Sequence, residues 1–445
     1  MRSKYYLIYS KILPMGGFFG SADELRLFGI IAVVTLGTFA IWVFIRVKVM
    51  GSELLPQAGP PGEFAWTTLA LSLWYFGGMV LDGWAHTHGV VDEAFFTPWH
   101  AIFYSGFTAF AGFIVWTLWR LADAPISFTP AGMKTFLSGM PKGYGPAVTG
   151  MVLFGIAGFG DMIWHALFGI EGGLDILLST THLMLAAGMA IAVMAPFWAS
   201  WHHPHEDEDT FSGQLPAVVS LGIMMSVMTF FTKYAHLQNL NLSDICQGEG
   251  SAVAVGAKTC STSLRGQDSS LTAVYDTGGL QLGVISMEIQ AVIMVGITLL
   301  FLRRWKPARG ILLTLFTVNG IAVAFLSPGD LKDIPLKLLL PVMIGLMAEV
   351  LVVKVQPQES ALRMRSFGFL LAFLAVFIWW LFMLWGYGFA IESSGLEIRF
   401  APLGWTIHGT FGAFFLAGCA GAFISLLMHP PEVPNQAKVE PEFKS

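Results

Sequence analysis

The sequence predicts an all-α polytopic membrane bundle of about eleven spans, and three observations predict it. Of 445 residues, 55% are hydrophobic and 12% charged, whereas a soluble globular chain carries about 25% charged residues. Apolar stretches of span length recur along the whole chain, each near the roughly 20 residues that a helix needs to cross a bilayer. All but one of the connections between them are short, so the chain reads as a single integral membrane domain, 1–445, whose first partner is the lipid bilayer.

The expected spans fall near 27–48, 64–86, 96–119, 147–169, 174–199, 215–236, 280–302, 310–327, 334–355, 367–390 and 403–428. The basic N-terminal segment lacks an apolar core and a small-residue cleavage site and reads as retained. The tail 429–445, rich in Pro and Glu, reads as disordered. A net charge of −5 spread over short loops, without a basic patch, argues against a nucleic-acid partner.

Lys and Arg concentrate on one set of alternate loops, which carries Arg46, Lys48, Arg120, Lys142, Arg303, Arg304, Lys306 and Arg309 among others. By the positive-inside rule that face is cytoplasmic, with the N-terminus outside and the C-terminus inside. Arg2, Lys4, Lys11 and Arg26 run against this orientation. The expected setting is a bacterial or archaeal cytoplasmic membrane. The one long loop, 237–279, then faces outward and holds Cys246 and Cys260, a candidate disulfide in an oxidising compartment with two free thiols as the alternative. Cys419, within an apolar span, reads as a packing residue.

The first five spans contain a candidate internal repeat. Span 2 ends in Asp82-Gly-Trp-Ala-His86 and span 4 in Asp161-Met-Ile-Trp-His165. Span 3 opens with Thr97-Pro-Trp-His100 and reaches Gly106 six residues on; span 5 has Ser179-Thr-Thr-His182 and reaches Gly188 six residues on. Two helical hairpins, 64–120 and 146–200, therefore each carry Asp-x3-His on the rising helix and one His on the descending helix. Thr232-Lys233-Tyr-Ala-His236 and Trp405-Thr-Ile-His408 are weaker echoes.

Residues i and i+4 of an α-helix share a face about 6 Å apart along the axis, so Asp-x3-His can grip one ion. Ionisable groups inside a span are costly and are functional-site hypotheses by default. Asp82, His86 and His100, and Asp161, His165 and His182, are therefore the candidate metal ligands, gathered toward the extracytoplasmic face. His88, His236, His408, Glu288 and Glu392 lie toward the same end as candidate supporting groups. The bland readings are an idle interfacial His88, a helix-stapling Asp–His pair, and Trp84, Trp99, Trp164 and Trp405 as an ordinary interfacial belt.

Imidazole with carboxylate suits copper, zinc, iron or manganese, and an oxidising outer compartment favours copper over iron. Asp-x3-His followed by a further His resembles the intramembrane metal site of the C subunit of particulate methane and ammonia monooxygenases. That resemblance implies two ligand sets, Asp82/His86/His100 and Asp161/His165/His182. The run DGWAHTHG…FFTPWHAIFYSGF also resembles an uncharacterised bacterial membrane-protein family.

The functional expectation is a copper- or iron-dependent, monooxygenase-like oxidoreductase acting on a small or lipophilic substrate, its redox partner and any further subunits unspecified. The alternatives are a metal-ion or proton transporter using the same residues, and a b-type haem protein, which leaves the aspartates unexplained. Glu349, near the inner end of its span, is a candidate proton carrier. The run His202-His-Pro-His205-Glu-Asp-Glu-Asp209 reads as a solvated loop, with metal sensing as its alternative. The remainder of the second half is apolar and carries no motif.

Overall fold

The computed structural model describes residues 61–88, 97–121, 129, 131, 142–169, 175–202, 207–233, 269–327, 334–387, 391–394, 397–400 and 405–430. The first expected span, His236, Cys246, Cys260 and the tail beyond 430 lie outside the described residues.

The helices are α1 (Pro61–Thr87), α2 (Pro98–Leu121), α3 (Gly145–Phe168), α4 (Asp175–Leu178), α5 (Thr180–Ala192), α6 (Ala195–His202), α7 (Phe211–Phe231), α8 (Ser269–Leu302), α9 (Ile311–Leu326), α10 (Ile334–Val355), α11 (Ala361–Tyr387) and α12 (Ile407–Met428). Among the described residues, nine helical stretches are long and apolar enough to cross a membrane, and α9 is a shorter apolar helix. The chain is thus a polytopic helical membrane protein.

Local chemistry explains the boundaries. Thr97 precedes Pro98, which takes the first helical position, where the missing N–H of proline costs nothing. Ser179 caps α5 by accepting the His182 N–H, and Thr210 caps α7 by accepting the Gly213 N–H. Such caps satisfy backbone donors left free at a helix start and contribute about 1 kcal/mol each. Before α9, Gly310 sits at φ 85°, a left-handed conformation that glycine adopts without a Cβ clash. Glu349 of α10 then completes that helix start: its carboxylate accepts the N–H groups of Leu312 and Leu313 at 2.8 and 3.2 Å.

Three details depart from the expected layout. The fifth span is not one straight helix: Ser179 separates α4 from α5, and a turn at Val193 and Met194 separates α5 from α6. Helix α8 begins at Ser269, so the end of the expected 237–279 loop is helical. Between α11 and α12 the backbone forms a small antiparallel sheet, β1 (Ile391–Ser394), β2 (Glu397–Phe400) and β3 (Trp405–Thr406), with Glu392 opposite Arg399. The alternation of polar and apolar residues in this connection was too short to stand out beside the spans.

Packing forms two cores. One joins α1, α2, α3, α5 and α6 with the C-terminal half of α7 and the end of α9; the other joins α7 through α12, with Phe197 of α6. Helix α7 is the seam, its residues more enclosed than those of any other candidate span described. Apolar residues gain little from leaving lipid for protein, so close backbone approach and interhelical hydrogen bonds carry much of the association.

The first two hairpins achieve that approach in matching registers. A Cβ on Gly106 of α2 would stand 2.6 Å from Tyr75 Cα of α1, and one on Gly188 of α5 would stand 2.6 Å from Phe154 N of α3. Each glycine is six residues beyond its descending histidine, and each partner is seven residues before its aspartate. Where the glycine meets its partner, the histidine is brought level with the aspartate.

Candidate metal centres

The structure brings both predicted ligand sets together. On α1, Asp82 and His86 occupy the last two turns of the helix, and His100 enters from the first turn of α2. His86 Nε2 lies 3.9 Å and His100 Nε2 3.7 Å from Asp82 Oδ2. On α3, His165 Nε2 is 3.4 Å from Asp161 Oδ2, and His182 Nε2 of α5 is 3.6 Å from Asp161 Oδ1. The imidazole centroids are 6.2 Å apart in the first centre and 5.6 Å in the second. In each centre one ligand atom from every residue lies within 4.8 Å of the others.

These separations can be compared with those a bound ion requires. Metal–nitrogen bonds of about 2.0–2.1 Å at tetrahedral angles place two donors about 3.4 Å apart. The observed carboxylate–imidazole contacts of 3.4–3.9 Å are within about half an ångström of this, all three donors lie within 4.8 Å of one another, and two imidazoles with a carboxylate are a set that transition metals take. The residues fit a metal ion.

Supporting groups recur as well. Thr97 Oγ1 is 3.2 Å from His100 Nδ1 and accepts the His100 N–H at 3.1 Å. Ser179 Oγ is 2.6 Å from His182 Nδ1 and accepts the His182 N–H at 3.4 Å. One hydroxyl thus caps the helix and orients the ring, directing Nε2 toward the aspartate. With the ring proton on Nδ1 donated to that oxygen, Nε2 carries the lone pair that an ion would take. The sequence displayed both Thr/Ser-x-x-His patterns, but a cap signature does not reveal that its oxygen also reaches an imidazole.

The centres differ in enclosure. Asp161 is 1% exposed and accepts a 2.7 Å hydrogen bond from Thr181, whereas the Asp82 side chain is 16% exposed. Trp99 occupies the sequence position in the first hairpin that Thr181 holds in the second. His165 Nδ1 lies 3.3 Å from Gly169 O. Lys233, beyond the end of α7, reaches the first centre: its Nζ donates to Thr87 Oγ1 at 3.4 Å, beside His86. The sequence showed Lys233 only as a broken echo of the Asp-x3-His pattern; its position beside His86 comes from the packing of α7 on α1.

The two centres are neighbours. Asp82 is within electrostatic range of His182 and Asp161, and Tyr104 within range of both aspartates. Tyr104 stands one turn beyond His100, with its ring centroid 6.3 Å from that imidazole. Its ring packs over Gly158 of α3, where a Cβ would lie 3.0 Å from Tyr104 Cε1. Gly158 is one turn before Asp161, so its missing side chain admits Tyr104 between the hairpins.

Among the candidate supporting residues, His88 stacks on Trp84 at 4.6 Å, with its Nδ1 2.8 Å from Trp84 O. His408 is exposed at the start of α12, and Glu288 is half-buried on α8. Both stand on helices that pack in the second core, away from the two hairpins. The backbone of Glu392 lies in β1, and His236 is outside the described residues. In the acidic connection after α6, Glu208 is tied to Arg304 by a 2.7 Å ion pair, and His202 stacks on Trp198.

The chain matches no family model, no curated protein and no solved structure.

Proposed function

We propose that this chain is a membrane metalloprotein, a copper- or iron-dependent oxidoreductase with copper favoured, holding one ion in each Asp-His-His centre near the extracytoplasmic face. The observation that supports this reading is the pair of matching three-residue centres, each built from one hairpin with the same glycine register and the same hydroxyl behind the descending histidine. Helix stapling needs one hydrogen bond and not a carboxylate facing two imidazoles, made twice. The recurrence favours an internal duplication of the hairpin, and the short motif likeness to the C subunit of particulate methane and ammonia monooxygenases points in the same direction.

When bound, such an ion supplies Lewis-acid or one-electron chemistry at an open coordination position. The chain's own part is to place three donors, hold two imidazoles in one tautomer through Thr97 and Ser179, and offset the cation with a carboxylate in a medium of low dielectric. Trp84 and Trp99, with ring centroids 6.2 Å apart, flank the first centre and suit a small or lipophilic substrate.

The transporter alternative loses a station. Glu349, the acidic group nearest the inner side, is engaged in capping α9, which favours a structural role for it over a relay. The haem alternative has to pass a macrocycle between imidazoles whose Nε2 atoms both lie within 4 Å of an aspartate oxygen.

The test is elemental analysis and an optical spectrum of protein purified in mild detergent, with His100→Ala, Asp82→Asn, His182→Ala and Asp161→Asn alongside. Stoichiometric metal in the wild type, lost from the matching centre in each folded variant, is expected. No stoichiometric metal under any expression condition, or wild-type content in all four variants, would end the metalloprotein reading.

A further inference from the structure

The second core contains a partly open cavity of about 80 Å³ lined by α7 through α11. Its wall is apolar, with Met225, Met294, Phe316 and Trp379 among the lining side chains, and Gln290 and Asn319 interrupt it.

Asn319 is the informative group. It stands midway along α9 and is 7% exposed, so its amide is buried at membrane depth. Its Nδ2 donates to Thr229 Oγ1 at 3.0 Å and to Ser226 Oγ at 3.4 Å. Those two hydroxyls have already committed their own protons, Ser226 to Gly222 O at 2.7 Å and Thr229 to Met225 O at 3.0 Å. They can therefore only accept from Asn319, which fixes the orientation of the amide: nitrogen toward α7, carbonyl oxygen toward the cavity. Among the described residues no donor meets that oxygen. That oxygen is left open to the cavity, and an acceptor without a protein donor in an apolar wall is poorly served in the bilayer interior, where no bulk water reaches it. A single trapped water is a poor substitute, since buried waters need two to four polar partners.

We propose that this cavity is a binding site for a lipophilic molecule bearing one hydroxyl, which donates to Asn319 Oδ1 while its hydrocarbon part lies against the methionine and aromatic wall. The inference is independent of the metal reading and holds whether or not the two centres take an ion. An alkyl alcohol and a phenol or hydroquinone share the required donor.

The experiment uses the full chain in lipid nanodiscs with a diazirine-bearing decanol and its methyl ether as photoaffinity probes, and peptide mapping of the labelled sites. The alcohol is expected to label residues lining the cavity about tenfold more than the ether, the size of effect given by one hydrogen bond made or left unmade in an apolar site. Asn319→Leu should reduce alcohol labelling to the level of the ether, and Ala375→Phe, which fills the cavity from α11, should abolish labelling by both. Competition by unlabelled octanol or by 4-octylphenol identifies the preferred head, and either result supports the site. Equal labelling by alcohol and ether in the wild type, or label lying outside α7–α11, overturns the proposal, and these wild-type readings decide it even if Asn319→Leu fails to fold.

Discussion

The two hairpins place the same three ligand types in the same register, yet they finish them differently. In the second, the aspartate is enclosed, accepts the Thr181 hydroxyl, and faces histidines whose Nδ1 atoms lie beside Gly169 O and Ser179 Oγ. In the first, the aspartate is partly exposed, tryptophan replaces the threonine, and Lys233 approaches His86 through its neighbour Thr87. A preorganised site loses less on binding than one whose ligands must still be oriented. The comparison teaches that similar motifs need not make equivalent sites: under the proposed metal reading, the second centre favours firm retention and the first easier exchange and access.

The largest effect expected from this difference is a two-step metal titration. With copper added to stripped protein under chelator competition, the second centre should fill first and hold its ion at least tenfold more tightly. Asp161→Asn should remove the tight phase, and Asp82→Asn the weak one. A single phase of two equal sites would erase the distinction drawn here.

Next in size is Thr181→Val, which keeps the side-chain shape but withdraws the 2.7 Å hydrogen bond to Asp161. Loss of such an orienting partner lowers metal affinity by about 10–100-fold. The loss should appear in the tight phase only, checked by the same titration.

A smaller change of opposite sign is expected at the first centre from Lys233→Met. Removing a fixed cation near His86 removes repulsion toward an incoming ion, so the weak phase should tighten several-fold, with salt dependence reduced. An unchanged weak phase would show that Lys233 serves α7 packing alone.

The smallest effect on binding, though not on stability, belongs to the helix contact. Gly188→Ala forces a methyl group to within 2.6 Å of Phe154 N and should destabilise the second hairpin by about 1–3 kcal/mol. Thermal unfolding should fall while residual folded protein still takes up metal. Gly106→Ala, against Tyr75, should behave alike if the shared register is real.

Much of this architecture was readable from one-dimensional pattern. Composition and the recurring apolar lengths determine a polytopic helical bundle, because a continuous apolar stretch of about 20 residues in lipid satisfies its own backbone as a helix, whereas barrel strands are half that length and alternate. The Asp-x3-His spacing determines that each pair shares a helix face, since that depends only on helical rise and turn. The paired glycines six residues after each descending histidine were also visible, although not their partners.

Tertiary structure decided what spacing alone leaves open. Which residue after α7 reaches α1, whether a carboxylate is wet or enclosed, and the capping of α9 by Glu349 all depend on contacts between residues distant in sequence. Asn319 shows this most plainly. In the sequence it is one polar residue in an apolar span, and no local rule orients its amide. Ser226 and Thr229, 93 and 90 residues away, determine which atom meets them and so which atom faces the cavity, because their own protons are already committed to the helix backbone.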